Sequence, residues 1–278
     1  MPLKLQAIGK PLDPVVRPYS ADDVILYALA VGCGFHHLGY CYENDLKVLP
    51  TFVAAHSMDF FWQVVDLVGA DRTGIVHAGH CIDFHAPIPT AGKTRTTGRI
   101  VRIDDKGSAT GALIEAHFEI DDGKAKRLAS GAVTIFARKD GGFGGTARPA
   151  ETFAYPQRPP DTIVPAQPRG EQPLLYRLTG DRFALHADPV FARRAGFDGP
   201  VMHGLCTLGF ATVALIGTFI TGQPQRITRL ACRFTRPLYP GLPIETHIWQ
   251  VTSNRALWRT VEADSGAAVI DRGQVKWH

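Results

Sequence analysis

Two side chains able to exchange protons stand five positions apart in a stretch with no helical period: Asp181 and His186, within residues 176–210. A carboxylate and an imidazole held together can polarise a water and return its proton elsewhere, the working parts of general acid and base chemistry. The turn Asp198-Gly199-Pro200 then leads to His203-Gly204, which opens an apolar segment long enough for a buried helix. The free N–H groups and positive dipole end of such a helix would stabilise negative charge growing on a carbonyl oxygen. These parts suit the addition or removal of water beside a carbonyl. The structural alternatives are an Asp in a turn, a hydrogen-bonded core His and a glycine needed only for close helix packing. Cys206, inside the apolar segment with no base evident beside it, reads as packing. Asp188-Pro189 reads as an N-cap with proline at N1 and Gly196 as a helix terminator, which bound a short helix.

Three other groupings invite a chemical reading. His77, His80, Cys81, Asp83 and His85 are metal-ligating types, but on a regular strand His77 and His80 point to opposite faces, and no second pair completes a tetrahedral set. No metal is expected. Gly141 to Gly145, around Phe143, lacks the spacing of a nucleotide loop and is followed by prolines rather than a helix. Arg226, Arg229, Arg233 and Arg236 fall on an expected strand, where Arg229 and Arg233 share a face as phosphate ligands or as a solvated surface.

The elements that must position these groups come in two similar runs. Ser20, with Asp23 three residues on, caps a short helix. From Thr51, the residues Met58, Phe61, Val65 and Val68 recur at helical spacing. Strands are expected near 82–86, 93–104, 109–120 and 127–138, with hairpin turns at Asp104 to Gly107 and Asp121 to Lys124. Six prolines between 149 and 168 make 146–170 a stiff, exposed linker. The order then returns: a strand at 174–178, a short helix, a long helix near 204–220, and strands near 226–236, 244–253, 255–263 and 268–277. Phe84 to Gly92 corresponds to Phe234 to Gly241, each between the helix and next strand of its half. The class is α+β, and pairing the halves edge to edge into one sheet would protect both edges. The domains are 1–145 and 171–278.

At 278 residues, with 45% hydrophobic and 20% charged content, the chain is globular. A net charge of +4 on spread basic residues argues against a nucleic-acid partner and allows an anionic small molecule. Five cysteines without a C-x-x-C pair read as reduced thiols of a cytoplasmic protein. No signal, membrane span or peroxisomal tripeptide is evident.

Gly180-Asp181-Arg182-Phe183-Ala184-Leu185-His186, preceded by Tyr176-Arg177-Leu178-Thr179, resembles the type 2, R-specific enoyl-CoA hydratases, whose MaoC-like domains read Gly-Asp-x-Asn-Pro-x-His. Asp188-Pro189, Ala195 to Asp198, Pro200 and His203 to Thr207 match as well. Lys47 to Thr51, Pro87 to Lys93, Asp105 to Gly107 and Gly141 to Gly145 resemble the two-domain members, including the hydratase portion of peroxisomal multifunctional enzymes. The resemblance implies a double hot dog, two long helices each wrapped by an antiparallel sheet, with a catalytic pair only in the second half. It departs where Phe183-Ala184 replaces Asn-Pro.

The implied activity is reversible hydration of a trans-2-enoyl-CoA to the (3R)-3-hydroxyacyl-CoA. Asp181 and His186 would hold the water and the Gly204 N–H the thioester oxygen. Gly142, Phe143, Gly144, Arg229, Arg233, Phe183 and His203 are expected to contact substrate. No metal or redox cofactor is required, CoA being part of the substrate, and a homodimer is compatible. The first-half helix, with Phe52, Phe60, Phe61 and Trp62, is expected to make room for the acyl tail. A hot-dog thioesterase and a non-catalytic acyl-CoA binder are the alternatives, the second prompted by Phe183.

Overall fold

The computed structural model describes residues 3–145 and 152–278. Ten strands form one antiparallel sheet in the order β1-β3-β4-β5-β2-β7-β10-β9-β8-β6. The first half supplies β1 (Val15–Tyr19), β2 (Ile75–Phe84), β3 (Gly92–Asp105), β4 (Ala112–Asp121) and β5 (Arg127–Ala137). The second supplies β6 (Thr162–Ala166), β7 (Ile227–Phe234), β8 (Ile244–Thr252), β9 (Arg255–Glu262) and β10 (Ala268–Trp277). From outer edge to centre each half has the same order, β1-β3-β4-β5-β2 and β6-β8-β9-β10-β7. The repeat is therefore real. The halves join where β2 meets β7, with Gly79 opposite Arg233 and Asp83 opposite Arg229, so neither central edge is left unpaired.

Alternation in β4, where Ala112, Ile114, Ala116, Phe118 and Ile120 are buried, turns one sheet face toward the helices. The second-half helix, α7 (Gly204–Phe219), is apolar nearly all round and is buried from Leu205 to Thr212 without interruption. A helix with no polar face is stable only inside a wrap of sheet. The first-half counterpart is broken in two at Ser57, as α3 (Phe52–His56) and α4 (Met58–Val68). The Ser57 hydroxyl bonds back to the Ala54 carbonyl at the break. Near the N-terminus, Ser20 and Asp23 form the expected capping box for α1 (Ala21–Ala30), whose last turn is followed by the short α2 (Leu38–Cys41). The architecture is two hot-dog folds fused through one sheet.

Two expectations fail. Residues 162–166 are not exposed linker but the edge strand β6, paired with β8 from Thr162 opposite Ile248 to Ala166 opposite Ile244. β-branched Thr162, Ile163 and Val164 favour the pleat, and Pro165 is tolerated because an edge strand leaves one row of N–H groups unused. Nearby Tyr155 donates to the Asp271 carboxylate (2.7 Å) and accepts from the Arg272 N–H (2.9 Å), tying this segment to β10. The remainder of the expected linker, 146–151, lies outside the described residues. The expected strand at 174–178 is instead a helical turn, α5 (Gln172–Tyr176), continuing as a 3₁₀ turn to Thr179. Pro173 fixes the first-turn φ. The Gln172 amide anchors the turn by donating to the Ala30 carbonyl at 2.6 Å.

All five cysteines are free thiols. No helix among the described residues is long and apolar enough to cross a membrane.

Candidate active site

The stretch from Gly180 to His203 is irregular, so its shape comes from individual anchors. Gly180 has φ +147°, and a Cβ there would fall 2.3 Å from the Arg17 Nη1 of the first half and 3.1 Å from the Ala55 carbonyl. Only glycine lets the chain pass so close to β1 and α3. Asp181 follows immediately. Its carboxylate accepts the Phe183 N–H at 3.2 Å, and its carbonyl accepts Nε2–H of His203 at 3.1 Å. A 3₁₀ turn at Ala184–His186 then turns His186 inward. Asp188 caps α6 (Pro189–Arg194) through the N–H groups of Val190 (2.8 Å) and Phe191 (3.3 Å), as its sequence suggests.

Nδ1 of His186 lies 2.8 Å from the Val201 carbonyl. A carbonyl only accepts, so Nδ1 carries the proton and Nε2 keeps its lone pair. Burial lowers the His186 pKa, against the pull of the Asp181 charge, and burial raises the Asp181 pKa, against the opposing effects of His186 and the Phe183 N–H. Each group is held toward its neutral form. A donor atom from each lies within 4.8 Å of the other, close enough for one water to bond both at about 2.8 Å.

Asp181, His186, Phe183 and Gly204 line one cavity of about 320 Å³. Gly204 is the first residue of α7, ahead of the first N–H bonded within the helix, that of Thr207 to the His203 carbonyl. A Cβ on Gly204 would meet the Phe234 ring at 3.0–3.3 Å, so close packing and an available amide coincide at this position. The first half contributes Met58, Phe61, Trp62, His77, Phe136 and Arg138 to the wall. Phe61 and Trp62 line the cavity. Phe52 and Phe60 do not, because Phe52 packs on Tyr19 and Tyr27, and Phe60 on Phe118.

Several expected contacts fall elsewhere. The N–H groups of Gly142 and Gly144 are bonded to the Asp105 carboxylate at 2.8 and 2.5 Å, and half-buried Phe143 packs on the core. That loop closes on the end of β3, not on the cavity. Arg229 and Arg233 stand on the face of β7 opposite buried Leu230 and Cys232, and Arg229 pairs with Asp83 at 2.6 Å across the central strands. Arg236, three residues past Arg233, is the exposed arginine of the cluster that lines the cavity. It lies beyond the end of β7, where strand alternation no longer sets side-chain direction.

His203 is not on the cavity wall. Its ring is buried between Tyr176 (centroids 4.8 Å apart) and His186 (3.7 Å, planes 25° apart). Asp181, His186 and His203 form the group of metal-ligating residues, among those described, whose donor atoms lie close together. Near-parallel imidazoles aim their in-plane lone pairs side by side, whereas one ion needs them to converge. His77 and His80 correct the expectation of opposite faces. A bulge between His77 and Gly79 breaks the alternation, and brings His77 Nε2 within 3.4 Å of His80 Nδ1.

Both halves match known family models, the MFE-2 hydratase 2 N-terminal domain over residues 18–139 and the MaoC like domain over residues 151–271. Across its full length the chain is 36% identical to 3-hydroxyacyl-thioester dehydratase Y of Mycobacterium tuberculosis, 99% of which is covered. The chain belongs to the MaoC-like hydratase family. Membership makes it a hydro-lyase. Peroxisomal enoyl-CoA hydratase 2 of Arabidopsis thaliana is 31% identical, over 91% of this chain and 88% of that protein. The crystal structure of a MaoC-like dehydratase from Phytophthora capsici superposes with a TM-score of 0.84 at 25% identity, covering 98% of this chain and 97% of that one.

Proposed function

We propose that this MaoC-like hydratase interconverts trans-2-enoyl-CoA and (3R)-3-hydroxyacyl-CoA at the cavity below Gly204. One observation carries the reading: Asp181 and His186, each held toward its neutral form, share a cavity wall with the free N-terminus of α7. The names of the relatives support the same substrate class, since two act on enoyl-CoA or 3-hydroxyacyl thioesters. The (3R) product is taken with the resemblance to the R-specific hydratases.

In the hydration direction, the thioester oxygen accepts the Gly204 N–H, and the helix dipole stabilises the charge that moves onto it. A water bonded to both Asp181 and His186 faces C3. Its oxygen bonds to C3 while its proton passes to Nε2 of His186, and the protonated Asp181 carboxyl gives its proton to C2. The C2–C3 π bond becomes the C2–H bond, and water supplies the C3–O bond. Proton return from His186 to Asp181 resets the pair. The cycle uses proton transfers only and calls for no redox cofactor or metal.

The test is a hydration assay over a panel of enoyl-CoAs, with chiral analysis of the alcohol and free-thiol measurement in parallel. Expected are the (3R) alcohol, thiol release far below hydration, and a loss of kcat by about 10²–10⁴-fold in Asp181→Asn and His186→Ala. Thiol release matching loss of the enoyl absorbance would establish a thioesterase instead. Tight acyl-CoA binding with no turnover at any chain length would establish a binder.

A further inference from the structure

Phe183 stands where the family has asparagine, and in the structure it is one end of a continuous aromatic wall. Its ring lies 4.5 Å from Trp62, which lies 5.2 Å from Phe61, which lies 5.2 Å from His77, which lies 4.9 Å from Phe234. All five line the catalytic cavity. The wall starts beside Asp181 and His186 and ends on Gly204, whose absent Cβ leaves room for the Phe234 ring. Its two ends come from the second half. Its middle, Trp62, Phe61 and His77, comes from the half without the catalytic pair.

Half-buried Trp62 is held from two directions. Phe183 covers one part of it, and the Arg72 guanidinium lies over the ring at 5.1 Å. Arg72 in turn forms an exposed ion pair with Asp66, four residues after Trp62 on α4, with bonds of 2.7–3.0 Å to both carboxylate oxygens. Phe183 is braced from its other side by Phe191 of α6 at 5.1 Å. An aromatic side chain has only two rotatable χ angles, and rings packed this way resist displacement by a ligand.

We propose that Trp62, pressed against Phe183, is a specificity-determining residue that limits the width of the acyl group just beyond C3, so that the site takes unbranched enoyl thioesters and rejects those branched or ring-bearing at C4. The inference rests on the proposed hydratase function, because that function places C3 at Asp181 and His186, and therefore C4 beside Phe183. Arg72 acts through Trp62 as a positioning residue.

The test compares kcat/KM for linear trans-2-octenoyl-CoA with that for 3-cyclohexylacryloyl-CoA, which has nearly the same number of carbons but a ring at C4. Wild type, Trp62→Ala, Phe183→Ala, the double variant and Arg72→Ala are assayed. The wild type should prefer the linear substrate by about tenfold or more, as expected when a bulky group meets a rigid wall. Trp62→Ala should collapse that ratio toward one by raising kcat/KM for the ring-bearing substrate. The double variant should do no more than the larger single change, since both rings form one wall. Arg72→Ala should shift the ratio part of the way with thermal stability nearly unchanged. A ratio unaltered by Trp62→Ala, or both substrates falling together, overturns the proposal while leaving the hydratase reading intact. Absence of hydration of either substrate, and of crotonyl-CoA, by the wild type would overturn the hydratase reading itself.

Discussion

The His186 ring lies face to face on the His203 ring, centroids 3.7 Å apart, and each ring spends one nitrogen on a backbone carbonyl, of Val201 and Asp181 respectively. Two imidazolium ions at this separation, out of water, would repel strongly, so protonating one disfavours protonating the other. Burial lowers both pKa values, and the nearness of His186 lowers that of His203 further. Burial favours the neutral form of His186, which keeps a lone pair on it. His203 also holds the Asp181 backbone, so it positions both members of the pair without touching the cavity.

His203→Ala should therefore lower kcat by about 10–100-fold, as misplacement of catalytic groups does, with KM little changed. The acid limb of the kcat/KM–pH profile should move up toward pH 6.5, the ordinary histidine value, because His186 loses its stacked neighbour and gains access to water. A reduced melting temperature with kcat and the acid limb both unchanged would assign His203 to structure alone.

Gly204→Ala keeps the N–H but puts a methyl 3.0 Å from Phe234 Cδ1. The start of α7 must then shift, and kcat should fall by about 10–100-fold, less than the ~10²–10³-fold of losing an oxyanion donor outright. Gly204→Ala combined with Phe234→Leu should regain most of the loss, since the smaller side chain makes room. No recovery in a stably folded double variant would show that this packing is not what glycine serves here.

Buried neutral histidines make the fold acid-sensitive. Burial lowers His56 and His80 from 6.5 to about 4, and His77, His186 and His203 are lowered for the same reason. In each the folded pKa lies below the unfolded one, so the unfolded chain takes up more protons as pH falls. Stability is fully present above pH 6.5 and is lost progressively toward pH 4, by about 3 kcal/mol for each of His56 and His80. Asp181 and Asp140, both raised by burial, work in the opposite sense, but they are two groups against five. Denaturant midpoints should drop steeply between pH 7.5 and 5. Equal midpoints at both would contradict the buried neutral assignments.

The arginines should separate by position. Arg236→Ala, at the cavity mouth, should raise KM for a CoA thioester several-fold, more at low salt, and leave KM for the pantetheine thioester unchanged, since only CoA carries the nucleotide phosphates. Arg229→Ala breaks a half-exposed ion pair with Asp83, worth up to about 1 kcal/mol, and should alter stability slightly with KM unaffected. The reverse pattern would place the phosphates on the opposite sheet face.

What could be read from the sequence followed from period and motif. The alternation of Ile114, Ala116, Phe118 and Ile120 and the apolar run after Gly204 each have one economical physical solution, and the motif around Asp181 and His186 marked two residues that line one cavity. What could not be read depended on single residues against distant partners. Pro165 sits in a strand only because β8 offers an edge to pair with, and Leu174 and Leu175 alternate with nothing because Gln172 is tied to Ala30. His77 and His80 share a side because of one extra residue in β2. The Gly142 and Gly144 amides were already committed to Asp105, 37 and 39 positions earlier in the chain. Phe183 was legible as a departure, but its partner Trp62 is in the other half, and no local spacing connects them.

The β2–β7 seam divides labour as well as sheet. Asp181, His186 and Gly204 lie on one side of it, and Phe61, Trp62 and His77, which shape the middle of the cavity, come from the other. On the proposed reaction, changes on α4 or the first half of β2 should alter which acyl groups are accepted more than how they react. For an engineer, a library confined to Met58, Phe61, Trp62 and His77, which line the cavity from the first half, should explore new acyl groups with Asp181, His186 and Gly204 untouched.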